Sequence, residues 1–98
     1  MNSNCGYVLK INDPELRTWG YCVNGVIPCA GQTSFFQEDD IFRTKEDAKA
    51  YIDVLLSSGW YRDDIGHHSF DVVEVKQYEG LGSFYYTKEA YEKFKEDI

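Results

Sequence analysis

Ninety-eight residues with a 43% apolar share make a single α+β-sized domain, long enough to bury a core and too apolar for a disordered tail. Seventeen acidic against ten basic residues leave a net charge of −7, which disfavours direct binding of nucleic acid, because phosphates are held by Lys and Arg. No apolar run has the length of a membrane span, and no basic-then-apolar leader opens the chain, so the expectation is a cytoplasmic protein with no membrane contact.

Residues 5–12 alternate. Tyr7, Leu9 and Ile11 fall on one side and Val8, Lys10 and Asn12 on the other, which predicts a strand whose first set faces a helix. Asp13-Pro14-Glu15 is a turn signal. Residues 17–23 read as a second strand. Asn24-Gly25 then predicts a two-residue type I′ hairpin, with residues 26–30 returning as a strand that Pro28 confines to an edge. Cys5, Cys22 and Cys29 lack CxxC spacing, so neither zinc nor a redox pair is expected. Cys22 and Cys29 flank the hairpin and could face each other there, but reduced, half-buried thiols are the plainer expectation. Residues 31–40 read as a loop, a short extended piece at Phe35 and Phe36, and an acidic loop.

Residues 44–58 form the helix around which the rest is organised. Thr44 stands at the N-cap, with Asp47 placed to complete a capping-box-like pair. Ala48, Tyr51, Ile52, Leu55 and Leu56 share one face; Lys45, Glu46, Lys49 and Asp53 take the other. Gly59 ends it. Residues 59–69 are the least regular stretch and the best candidate for a functional loop. Residues 69–78 predict an inner strand, because FDVVEV is apolar on parts of both faces. Gly80 and Gly82 bound a turn, and residues 83–86 give one more strand. Thr87 caps a short C-terminal helix with Ala90, Tyr91, Phe94 and Ile98 on its packed side and a favourable Glu89–Lys93 pair. Phe42-Arg43-Thr44-Lys45-Glu46 echoes Tyr85-Tyr86-Thr87-Lys88-Glu89, a shared way of starting a helix. The expected fold is α+β: an antiparallel sheet of about four or five strands, one central helix across it and a short C-terminal helix.

No catalytic set emerges. His67 and His68 lie near Asp63 and Asp64, but neighbouring residues in a strand point to opposite faces, and Gly66 argues against the helix that would align Asp64 with His68. No activation motif surrounds any Cys or Ser. The acidic clusters say more. Glu38, Asp39 and Asp40 precede the central helix, and Asp63 and Asp64 follow it. Carboxylates on a rigid surface can replace phosphates in front of a basic groove. Eight Tyr, six Phe and two Trp are more rings than so small a core can hold, so Trp19, Trp60 and Tyr61 are candidate anchors at an interface, a homodimer included. The competing account is solubility plus helix-dipole chemistry.

YVLKI, FRTKEDAKAYIDVLLSSGW and FDVVEV together resemble, in layout, many small proteins encoded by phages and mobile elements. In size, acidity and idiosyncratic sequence the chain resembles anti-CRISPR proteins among them. The motifs are generic and carry no site residue across. The resemblance implies an inhibitor of a host nucleic-acid-handling complex, such as a CRISPR–Cas effector. The leading expectation is therefore a non-enzymatic acidic binding protein without cofactor. The alternative is a small-molecule or nucleotide-sequestering module with an aromatic-lined pocket. A small enzyme using Cys or His comes third.

Overall fold

A computed structural model describes residues 5–13, 18–27, 31–33 and 35–96. The elements in order are β1 (Cys5–Asp13), β2 (Thr18–Cys22), α1 (Lys45–Leu56), β3 (Phe70–Lys76), β4 (Tyr86–Thr87) and α2 (Lys88–Glu96). Short 3-10 turns occupy Glu38–Asp40 and His67–Ser69. The strands form one antiparallel sheet in the order β2-β1-β3-β4. The expected α+β arrangement is present, with four strands, the central helix and the C-terminal helix.

The alternation along β1 divides the sheet into two faces. Leu9 lies between Cys22 and Val72, and Val8 is paired with Val73. On the first face Leu9, Ile11, Cys22 and Phe70 meet Ala48, Ile52 and Leu55 of α1, closed off by Phe42 and Ile65. Tyr7, Leu9 and Ile11 thus face the helix as their spacing predicts. On the second face Val8, Tyr21, Val23 and Val75 pack under Phe36, Ile41 and Tyr85. A strand buried on both sides must carry apolar residues in both phases, which is why FDVVEV does so.

Thr44 caps α1 in the extended conformation, its Oγ1 accepting from the Asp47 N–H at 3.1 Å. The helix closes at Ser57, and Gly59 follows at φ 83°, a left-handed turn that a side chain would strain. At the second helix Thr87 Oγ1 accepts from the Ala90 N–H at 3.1 Å, so the two helices do share one way of starting. Nothing on α2 is fully buried. Its Tyr91 stacks on Tyr78 at 3.8 Å, and Phe94 forms a T-shaped pair with Tyr86 at 5.4 Å. Ile98 lies outside the described residues, as does the predicted turn at Pro14-Glu15.

Three expectations need correction, and the briefest is the Glu89–Lys93 pair on α2, which forms no ion pair among the described residues. The Asn24-Gly25 turn forms, with the Val26 N–H donating to Val23 O at 3.3 Å and Gly25 at φ 82°. It does not launch a return strand at residues 26–27, and residues 28–30 lie outside the described chain. The Asn24 N–H instead donates to Asp40 O at 2.9 Å, and Tyr21 takes Gly31 as its outer neighbour, its N–H donating at 2.9 Å. Short-range turn chemistry is satisfied while longer-range partners take the strand edge. The last correction concerns Cys22, which is disulfide-bonded. Reduced thiols throughout were the wrong expectation. No helix among the described residues is long and apolar enough to cross a membrane.

Candidate functional site

The first acidic cluster is built by its own backbone. The Gln37 N–H donates to Asp40 Oδ2 at 3.1 Å, and the Asp40 N–H donates to Gln37 O at 3.0 Å, which folds residues 38–40 into a 3-10 turn. Asp40 is spent on that cap and on holding Asn24. Glu38 and Asp39 stand exposed on the rim of a groove of about 470 Å³. The far wall is α1, which presents Asp47, Tyr51 and Val54. Ile41 and Phe42 line the groove from below.

Tyr51 is fixed from two sides. Its ring lies 5.2 Å from that of Phe42, and its hydroxyl donates to Val26 O at 3.4 Å. Val54 is 45% exposed at the end of the same wall. Arg43 reaches into the groove and meets Glu38 at 2.9 Å. Both groups are more than half exposed, so this pair contributes no more than about 1 kcal/mol and opens readily. Three carboxylates, Glu38, Asp39 and Asp47, thus face one guanidinium over a partly apolar floor.

The other candidates lie elsewhere. Asp63 and Asp64 sit on the loop after α1, where Asp64 pairs with Arg62 at 3.2 Å. They do not line the groove of Glu38 and Asp39. Trp60 on the same loop is 67% exposed, the most open large apolar side chain among the described residues. Tyr61 is half-buried and belongs to the core: its ring meets Phe70 edge-on at 6.0 Å. Its hydroxyl lies 3.9 Å from Cys22 Sγ; a half-cystine has no proton to give, so the hydroxyl donates. His67 ties this loop to α1 through Asp53 Oδ1 at 2.7 Å. Among the described residues no three His, Cys, Asp or Glu side chains gather as a metal site.

Trp19 lies on the sheet face opposite α1. It lines a second groove, of about 340 Å³, between β1, β2 and α2. Lys10 and Tyr21 from the sheet and Glu89, Lys93 and Phe94 from α2 complete it. Burial pushes the Tyr21 phenol above its ordinary value of 10.0; a hydrogen bond with Thr87 opposes the shift and the Glu89 charge adds to it. Sequence reasoning singled out Trp19 alone here. The strand register that sets Lys10 opposite Tyr21 is a long-range fact no local pattern displays.

Compared with known proteins, the chain matches no protein-family model, no curated protein and no solved structure.

Proposed function

We propose that the protein is a non-enzymatic binding module that occupies a basic surface of a partner. The observation behind this reading is the groove beside α1. Carboxylates on two separately anchored elements bracket an apolar floor, and the tie from Asn24 to Asp40 holds the first element in place. An arginine or lysine entering there lays its aliphatic stem on Tyr51 and Val54 and sets its charge between Asp39 and Asp47. The net charge of −7 extends the attraction beyond contact and speeds encounter with a positive surface. Together with the resemblance to phage inhibitors, this makes a nucleic-acid-binding effector of host defence the partner class to test. The carboxylates then stand where that effector would hold phosphates. Trp60 is the side chain placed to add desolvated area outside the groove.

The test is the variant Glu38→Gln/Asp39→Asn/Asp47→Asn, which removes three charges with almost no change in volume. Its association with an immobilised, nucleic-acid-free effector complex is followed at low and at physiological salt. The parent should bind faster at low salt, and the variant should bind more slowly with a flatter salt dependence. Equal rates and equal salt slopes for the two proteins would leave the acidic surface as a solubility device only.

A further inference from the structure

We propose that the groove under α2 is a second, independent binding site, for a small planar aromatic molecule that carries one anionic group, a carboxylate or a phosphate.

Lys10 occupies an unusual place for a charged side chain. It lies on β1, which is flanked by β2 and β3, and is paired with Tyr21 on one side and Asp71 on the other. An inner strand is an unfavourable place for an ammonium group unless the side chain opens onto water. Here its Nζ stands 4.8 Å over the Trp19 ring, at the wall of the groove. Asp71 is not its ion-pair partner; that carboxylate accepts from Asn12 Nδ2 at 3.1 Å. Lys93 enters from α2, and among the described residues neither Glu89, one turn earlier, nor any other carboxylate makes an ion pair with it or with Lys10. In a chain with seven more acidic than basic residues, two ammonium groups therefore share one groove whose described lining holds a single carboxylate. Local charge there is inverted relative to the whole molecule.

The rings supply the rest. Trp19 and Tyr21 meet in a T-shaped pair at 5.2 Å, and Phe94 and Tyr86 in another. Trp19 and Phe94 are each 38% exposed, and their open surfaces border the same space. Rings held in place by ring neighbours and still partly exposed offer stacking surfaces at little entropic cost. A volume of about 340 Å³ suits a ligand of mononucleotide size or smaller. Aromatic walls select a flat ring, and the lysines select an anion on it.

The experiment uses the full chain with Trp60→Phe, which leaves Trp19 as its only indole. Trp19 fluorescence is titrated with adenosine monophosphate and with phenylacetate, and with their neutral counterparts adenosine and benzyl alcohol. Saturable quenching by at least one anion is expected, at least about tenfold tighter than by its neutral counterpart. The arm that responds identifies phosphate or carboxylate. Lys10→Met and Lys93→Met each keep an aliphatic stem and should cut the preference for the anion severalfold while circular dichroism is unchanged. The proposal fails if none of the four probes saturates, if charged and neutral probes bind alike, or if both lysine variants bind as the parent does. The site is separate from the acidic groove, so Glu38→Gln/Asp39→Asn/Asp47→Asn should bind these probes as the parent does, whatever its effect on a protein partner.

Discussion

Gly6 offers a sharp test of how the sheet is closed. It lies on β1, and a Cβ built there would stand 2.5 Å from Ile41 Cδ1, 3.2 Å from Ile41 Cβ and 3.0 Å from Phe42 O. The first contact is with the end of a flexible side chain and could rotate away. The other two cannot, because Phe42 is held to Tyr7 by a reciprocal pair of backbone hydrogen bonds, 2.9 and 2.8 Å. Relief requires residues 41–42 to move off the strand, which also disturbs the entry to α1. Overpacking of this kind costs about 1–3 kcal/mol, and the lower entropy of an unfolded alanine returns about 0.4–1 kcal/mol. The midpoints leave a net loss of about 1.3 kcal/mol for Gly6→Ala, between limits of about 0 and 2.6 kcal/mol, or a melting temperature lower by about 5–10 °C at the midpoint for a domain of this size. Urea and thermal unfolding followed by circular dichroism give the number. Ile41→Ala removes the nearest of the three close atoms, Cδ1, and keeps Cβ, so the double variant should lose somewhat less than the sum of the singles. A Gly6→Ala protein more stable than the parent would show that residues 41–42 do not close against β1.

Leu55→Ala should cost about 2–5 kcal/mol in denaturant melts, since Leu55 is wholly buried between α1 and the sheet, and Thr44→Ala about 1 kcal/mol through loss of the bond to the Asp47 N–H. For Tyr21 the sign comes from linkage: its pKa is higher folded than unfolded, so the unfolded chain ionises first. Stability is therefore intact below pH 10.0 and falls as pH rises through the folded value, and Tyr21→Phe should flatten that fall in melts taken on both sides of pH 10.0.

What could be read from the sequence was what repeats over short distances. The spacing of Ala48, Ile52 and Leu55 gives the helix and its buried face, and the alternation of Tyr7, Leu9 and Ile11 gives the face of β1 that meets it. Thr44 and Thr87 mark both helix starts because a cap is a contact over three residues. The pairing of distant segments was not legible. Asn24-Gly25 encodes a turn, but nothing near it says that Phe42 will take the place beside Tyr7, or that Gly31 will pair with Tyr21. The same limit applies to the sites. Glu38 and Asp39 stand out as a charged run, while the wall that makes them a groove depends on how α1 is rotated against residues 38–43. Tyr51 and Val54 show the ambiguity: Tyr51 falls on the apolar face by spacing, yet it is half-buried and borders the groove.

The uncovered groove under α2 follows from size. A sheet with two apolar faces needs two covering layers, and this chain supplies one full layer in α1 and a thin one in residues 35–41, Tyr85 and α2. Some of the second face must stay open, and it stays open around Trp19 and Phe94. A charge at Lys10 suits such a place on solubility grounds alone, because an open apolar strip invites self-association. Lys93 separates the two explanations. One ammonium on the strand is enough to keep the strip wet, and α2 already carries Lys88 and Lys95 for its own solvation. A second ammonium bordering the same space is what the proposed anion site requires and a single charge on the strand does not supply. If Lys93→Met stays monomeric in sedimentation and still loses its preference for the charged probe, that loss is one of binding and not of solubility, whether or not Lys10→Met self-associates.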